Sequence, residues 1–77
     1  MDKQRRKKLE DVLDRLQGCM MDLEYIKEEE QESYDNLPES LQYSEKGEQM
    51  QENVDDLDYV ISDLDQVIDS VNEIIDK

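Results

Sequence analysis

From Val54 the chain reads VDDLDYV, ISDLDQV, IDSVNEI, three consecutive seven-residue units that each begin and end with an aliphatic side chain. Met50, Leu57, Leu64 and Val71 form one column of this repeat, here called a. Column d holds Asn53, Val60, Val67 and Ile74, and column e holds Val54, Ile61, Ile68 and Ile75. The β-branched content alone suggests a strand. Alternation of period two fails over the segment while period seven holds, and a heptad with three apolar columns is helical.

The first half repeats the pattern less regularly. Leu9, Leu16 and Leu23 fall in column a, Val12, Cys19 and Ile26 in column d, and Leu13 and Met20 in column e. Gly18 falls on the outer face at a cost of about 1 kcal/mol relative to Ala. After Ile26 the pattern fades into a polar, helix-favouring stretch from Lys27 to Glu32. Pro38 cannot sit inside a long helix without losing a hydrogen bond and clashing with the preceding turn. Asn36 is suited to the left-handed conformation that ends many helices. Ser44 is a natural N-cap, followed by Glu45 and Glu48, which the helix dipole favours. The sequence therefore predicts helices over about 3–36 and 44–76, joined by a loop over about 37–43 in which Pro38 to Leu41 form a short helical turn.

So short a connection makes the helices antiparallel neighbours. Setting column a of each helix against column d of the other pairs Leu9 with Ile74, Val12 with Val71 and Leu16 with Val67. The series continues with Cys19 and Leu64, Leu23 and Val60, Ile26 and Leu57. Every pair folds back between Leu41 and Gln42, inside the loop chosen independently from Pro38. Toward the loop the layers become polar, Glu30 with Asn53 and Ser33 with Met50, so that end is expected to be looser. The expected fold is all-α: one coiled-coil-like antiparallel two-helix hairpin spanning residues 1–77.

A two-stranded coiled coil needs only columns a and d. On this register column e is left over, and Leu13, Met20, Val54, Ile61, Ile68 and Ile75 are expected to form an apolar strip along one flank. Seventy-seven residues provide a marginal core for a hairpin alone. Homo-oligomerisation into a helical bundle, or docking on a partner protein, would cover the strip.

Charge narrows the partners. With 23 acidic against 9 basic residues the net charge is −14, which repels nucleic acid and anionic lipid and favours basic protein surfaces. Lys3, Arg5, Arg6, Lys7 and Lys8 crowd the start of the first helix, and the hairpin would set them beside Asp69, Glu73 and Asp76. Asp55, Asp56, Asp58, Asp63, Asp65, Asp69 and Glu73 recur along the second helix at spacings comparable to those of phosphates, so a basic groove could accept them as a nucleic-acid mimic. Against that stands the simpler reading of acids that keep a small amphipathic protein soluble. Tyr25 and Tyr59 share the outward column c at one height, as candidate aromatic anchors on the flank away from the e strip, against the simpler reading of ordinary half-buried tyrosines.

Catalytic chemistry finds few instruments. There is no His, and the acids sit mainly in solvent columns. Glu30 alone occupies a core column, where a polar layer is the simpler reading. Cys19 in column d reads as a buried thiol, without the His partner a nucleophile would use. Zinc lacks its thiolates and imidazoles, and the acid clusters fall within helix rather than in the turns calcium loops require. No catalytic residue, metal or cofactor is expected. No apolar run reaches the length of a signal-peptide core, and a single cysteine makes no internal disulfide, which suits a soluble protein of the cytoplasm.

The tract EEEQESYDNLPESLQYSEKGEQMQENVDDLDYVISDL, from Glu28 to Leu64, resembles small uncharacterised helical-hairpin proteins encoded by bacteriophages and bacterial mobile elements. The likeness is carried by Asn36-Leu37-Pro38-Glu39, by Ser44-Glu45 and by the aliphatic heptad that follows. It covers about half of the chain and leaves out the amino-terminal third. It implies an accessory protein of the bacterial cytoplasm that binds and modulates, by inhibition for example, a host protein such as a defence component. The alternatives read from the residues are an assembly module that acts only through homo-oligomerisation and the acidic mimic.

Overall fold

A computed structural model describes all residues, Met1–Lys77. The chain is all-helical: α1 spans Lys3–Asp35, α2 is the single turn Glu39–Gln42, and α3 spans Glu45–Asp76. The long helices lie against each other as an antiparallel rod measuring 59 × 14 × 12 Å.

Local chemistry sets each boundary. The Asp2 side chain caps α1 by accepting from the Arg5 amide at 2.8 Å, a start signal the run of bases obscures in the sequence. Asn36 closes α1 as expected but stays right-handed, at φ −85° and ψ −6°. No left-handed residue is needed because Gln42 supplies the cap: its Nε2 donates to the carbonyls of Tyr34 at 3.2 Å and Asp35 at 3.5 Å. The Tyr34 carbonyl also accepts from the Leu37 amide at 3.0 Å, so it is the Asp35 carbonyl that the end of α1 would leave unpaired and that Gln42 serves from across the turn. Pro38 is the N-cap of α2, just ahead of the helix, where its missing N–H costs nothing, and its carbonyl accepts from Leu41 and Gln42. Ser44 caps α3, accepting from the Gly47 amide and donating to the Leu41 carbonyl.

Gly47 is the residue that lets this turn close. It is buried in the first turn of α3. A Cβ there would lie 2.6 Å from the Gln42 carbonyl carbon and 2.7 Å from the Leu41 oxygen. Gly18, by contrast, has open space around it.

The seam between α1 and α3 differs from the expected one. Ile68 and Val54, from column e, are the most buried aliphatic residues, at 4% and 7% exposure. Apart from the polar Gln31, Gln51, Asn53 and Asn72, half-buried positions on α1 are Arg6, Leu9, Leu13, Leu16, Met20, Leu23, Lys27, Glu30 and Tyr34, and on α3 Met50, Leu57, Ile61, Leu64, Val71 and Ile75. These are columns a and e. Column d, assigned to the core by the sequence, lies outside: Val12, Ile26, Val60, Val67 and Ile74 are between 36 and 50% exposed.

Two cross-helix hydrogen bonds set the register. Lys27 Nζ donates to Asp58 and Asn53 Nδ2 to Glu30, both at 2.8 Å. They bracket a level at which Leu16 lies opposite Ile68, Met20 opposite Leu64 and Leu23 opposite Ile61, with the fold-back centred on Gln42. The layers continue to Leu9 with Ile75 at the open end and to Tyr34 with Met50 beside the turn. Side-chain size explains the choice of columns. Column e contributes Leu, Met, Val and three Ile together with Lys27, whereas column d contributes Cys, three Val and two Ile together with Asn53. Two strands can cover only about two columns each, and burying the larger set removes more apolar surface from water. Column e also holds Gly47 and Tyr34, which carry the seam into the turn.

Of the two polar layers expected near the turn, one forms; the other does not, because Ser33 is exposed and Tyr34 takes the level of Met50. Glu30 meets Asn53, and Lys27, although in a seam column, extends its ammonium outward to Asp58. The hydrogen bond and the charge of that carboxylate, aided by Glu24 and Glu28, raise the Lys27 pKa above the ordinary lysine value.

Candidate functional site

With about 100° of rotation per residue, columns a and e straddle the line facing the other helix, and column d stands about 80° to one side of it. In an antiparallel pair the two d columns come out on the same flank. Val12, Cys19 and Ile26 from α1 thus lie beside Ile74, Val67 and Val60 from α3, at alternating heights along the rod. A shallow groove lined by Ile26, Val60, Leu57, Asn53 and Ser33 joins the two columns at the turn-proximal end. The apolar strip therefore exists, but its members are not the expected ones. Leu13, Met20, Val54, Ile61, Ile68 and Ile75 are spent in the seam, and the d columns form the strip instead. Cys19 moves with its column: its thiol is exposed, not buried.

The rims of this flank come from column g. On α1 they run Lys8, Arg15, Asp22, Glu29, from basic at the open end to acidic toward the turn. On α3 they are Asp56, Asp63, Ser70 and Lys77, which follow the same polarity along the rod because the chain runs back. All eight are exposed. On the opposite flank, toward the turn, Lys27, Glu28, Gln31 and Glu32 lie beside Asp58, with Val54 beneath them.

The other expected surface features separate. Tyr25 and Tyr59 are 64% and 72% exposed and stand at one height. Column c, however, points directly away from the partner helix on each strand. The two rings therefore project from opposite sides of the rod and cannot serve one anchor site. The acids of α3 are exposed but divided: Asp56 and Asp63 border the apolar flank, Asp58 and Asp65 the polar one, and Asp55, Asp69 and Glu73 the outer arc. Asp58 is also engaged by Lys27 at 2.8 Å. The basic run makes no ion pair with Asp69, Glu73 or Asp76; besides Lys27–Asp58, the ion pair formed is Arg5–Asp2 at 3.9 Å. Columns c and f, which hold those three acids, face away from α1.

No group of three or more Cys, Asp or Glu residues converges to hold a metal ion, and no helix is long and apolar enough to cross a membrane. Comparison with protein-family models, curated proteins and solved structures finds no match to this chain.

Sequence reasoning missed the column exchange and the role of Gly47. The signals were present: Gly in a seam column within a helix's first turn, and the greater bulk of column e.

Proposed function

We propose that this protein is a non-enzymatic interaction module that works through the flank formed by Val12, Cys19, Ile26, Val60, Val67 and Ile74. One observation carries the reading. A rod only two helices thick leaves its third apolar column uncovered on both strands, on the same side and framed by charged rims. Contiguous exposed aliphatic surface of this kind marks protein contact on a water-soluble surface. The likeness of the connecting segment to phage and mobile-element hairpins extends the proposal to an accessory role in the bacterial cytoplasm, where the contact serves to modulate a host protein. The acidic mimic is the weaker reading, because the acids of α3 are spread round the rod and present no single row to a groove.

Val60→Asp combined with Val67→Asp tests the proposal. Both sites are half-exposed, so helix content by circular dichroism should be retained. Association, with itself in sedimentation or with bacterial proteins in capture, should be lost. A double variant that associates as the parent does would refute the assignment of the flank.

A further inference from the structure

We infer that the occupant of this flank is a second copy of the same chain, related by a two-fold axis that sets the rods antiparallel, so that two hairpins complete a four-helix bundle. The inference rests on the functional reading of the flank and adds the identity and orientation of its partner.

Area is the first argument. A rod of 59 × 14 Å offers a flank on the order of 800 Å², about the area each partner contributes to a stable interface of standard size. The second is symmetry. The six apolar residues occupy one continuous stretch, with Cys19 and Val67 at its middle height. A two-fold axis through that middle lays the strip on itself, α1 against α1 and α3 against α3, as an isologous contact requires.

Charge decides the orientation. In the antiparallel arrangement Arg15 comes opposite Asp22 of the second copy, Lys8 opposite its Glu29, and Lys77 opposite its Asp56. Each pair occurs twice. Turning the second copy to run parallel sets α1 against α3 at equal heights. It then brings Asp22 against Asp63, Glu29 against Asp56 and Lys8 against Lys77, every one a like-charge encounter. The rim gradient thus admits one orientation and opposes the other.

The second copy is also distinguished from an unrelated partner. A basic target surface would suit the net charge of −14, yet Lys8, Arg15 and Lys77 on the flank's own rims would repel it. A face that is basic at one end and acidic at the other is complementary to itself.

Sedimentation of the intact protein at low-micromolar concentration should give a dimer. Mild oxidation should then join the two chains through Cys19, because the axis brings the thiols face to face within disulfide reach. A control carrying Cys19→Ser with Tyr25→Cys, which moves the thiol to the outer face, should not cross-link. Asp22→Arg should weaken the dimer by about tenfold, since by symmetry it replaces two attractions with two repulsions. Adding Arg15→Glu in the same chain should restore affinity. A monomer, a dimer in which Cys19 does not cross-link, or an Asp22→Arg variant that dimerises more tightly would each overturn the inference, the last pointing to parallel rods. A monomer that still loses a heterologous partner with Val60→Asp and Val67→Asp would overturn this inference alone and leave the functional reading intact.

Discussion

Replacing each of the two glycines by alanine should move stability in opposite directions. Both lie within helices, where Ala is intrinsically favoured over Gly by about 1 kcal/mol. At Gly18 an added Cβ meets nothing within 4 Å, so Gly18→Ala should keep most of that gain. At Gly47 the same methyl group arrives 2.6 Å from the Gln42 carbonyl carbon and 2.7 Å from the Leu41 oxygen. Both neighbours are backbone and have no rotamer to yield. The Gln42 carbonyl oxygen lies nearer still, so restoring van der Waals contact requires the α2–α3 connection to retreat by about 1 Å or more. That movement pulls Gln42 from the Tyr34 and Asp35 carbonyls and Leu41 from Ser44. Losing the side-chain cap on α1 and weakening the Ser44 cap cost about 1 kcal/mol each, and the crowding adds to them. The propensity gain is outweighed, and Gly47→Ala should destabilise by about 1–3 kcal/mol, within the range of overpacked sites. Thermal unfolding followed by helix ellipticity reads both variants. In a domain of this size 1 kcal/mol moves Tm by about 4–8 °C. The samples must share one protein concentration, so that any association contributes equally. A Gly47→Ala protein as stable as Gly18→Ala would refute the close packing of the turn on α3.

Ile68→Ala should cost about 2–4 kcal/mol of hairpin stability and Val67→Ala under about 1 kcal/mol, measured by urea unfolding at concentrations too low for association. The reverse ranking would restore column d to the seam. The Lys27–Asp58 pair should lose its contribution at high pH: because the folded-state pKa of Lys27 is raised, its contribution is complete below the ordinary lysine value of 10.5 and disappears as pH rises through the folded-state value. Lys27→Met should remove that alkaline loss, and an unchanged stability-against-pH curve would show that the pair contributes nothing.

Helix positions, the Pro38 break, the Ser44 cap and the antiparallel fold-back were legible in the sequence because each rests on local stereochemistry or on a period. The end of α1 was legible in place but not in mechanism, since the side chain that caps it, Gln42, acts across the turn. Three apolar columns also left one question that periodicity cannot answer, namely which two face inward. Columns a and d and columns a and e are both alternations of three and four residues, and their registers differ by only half a residue in the fold-back point. Bulk and the close approach at Gly47 decide between them, and both are properties of two helices together. The error carried through to the strip and to Cys19, which exchanged places with their column, while the expectation of an uncovered apolar flank survived because it depended on the number of columns alone.

The polar layers beside the turn have a consequence for how the chain folds. A hairpin ordinarily zips from its loop, where closing the ring of contacts costs least. Here the rung of Tyr34 with Met50 beside the turn is followed by Glu30 with Val54 and Lys27 with Leu57, and all-aliphatic rungs begin only at Leu23 with Ile61. The rate-limiting structure must therefore span some forty residues of chain before its stabilising contacts start to form. Mutations at Leu23 or Ile61 should then slow folding, whereas those at Leu9 or Ile75, the last rung to close, should mainly hasten unfolding.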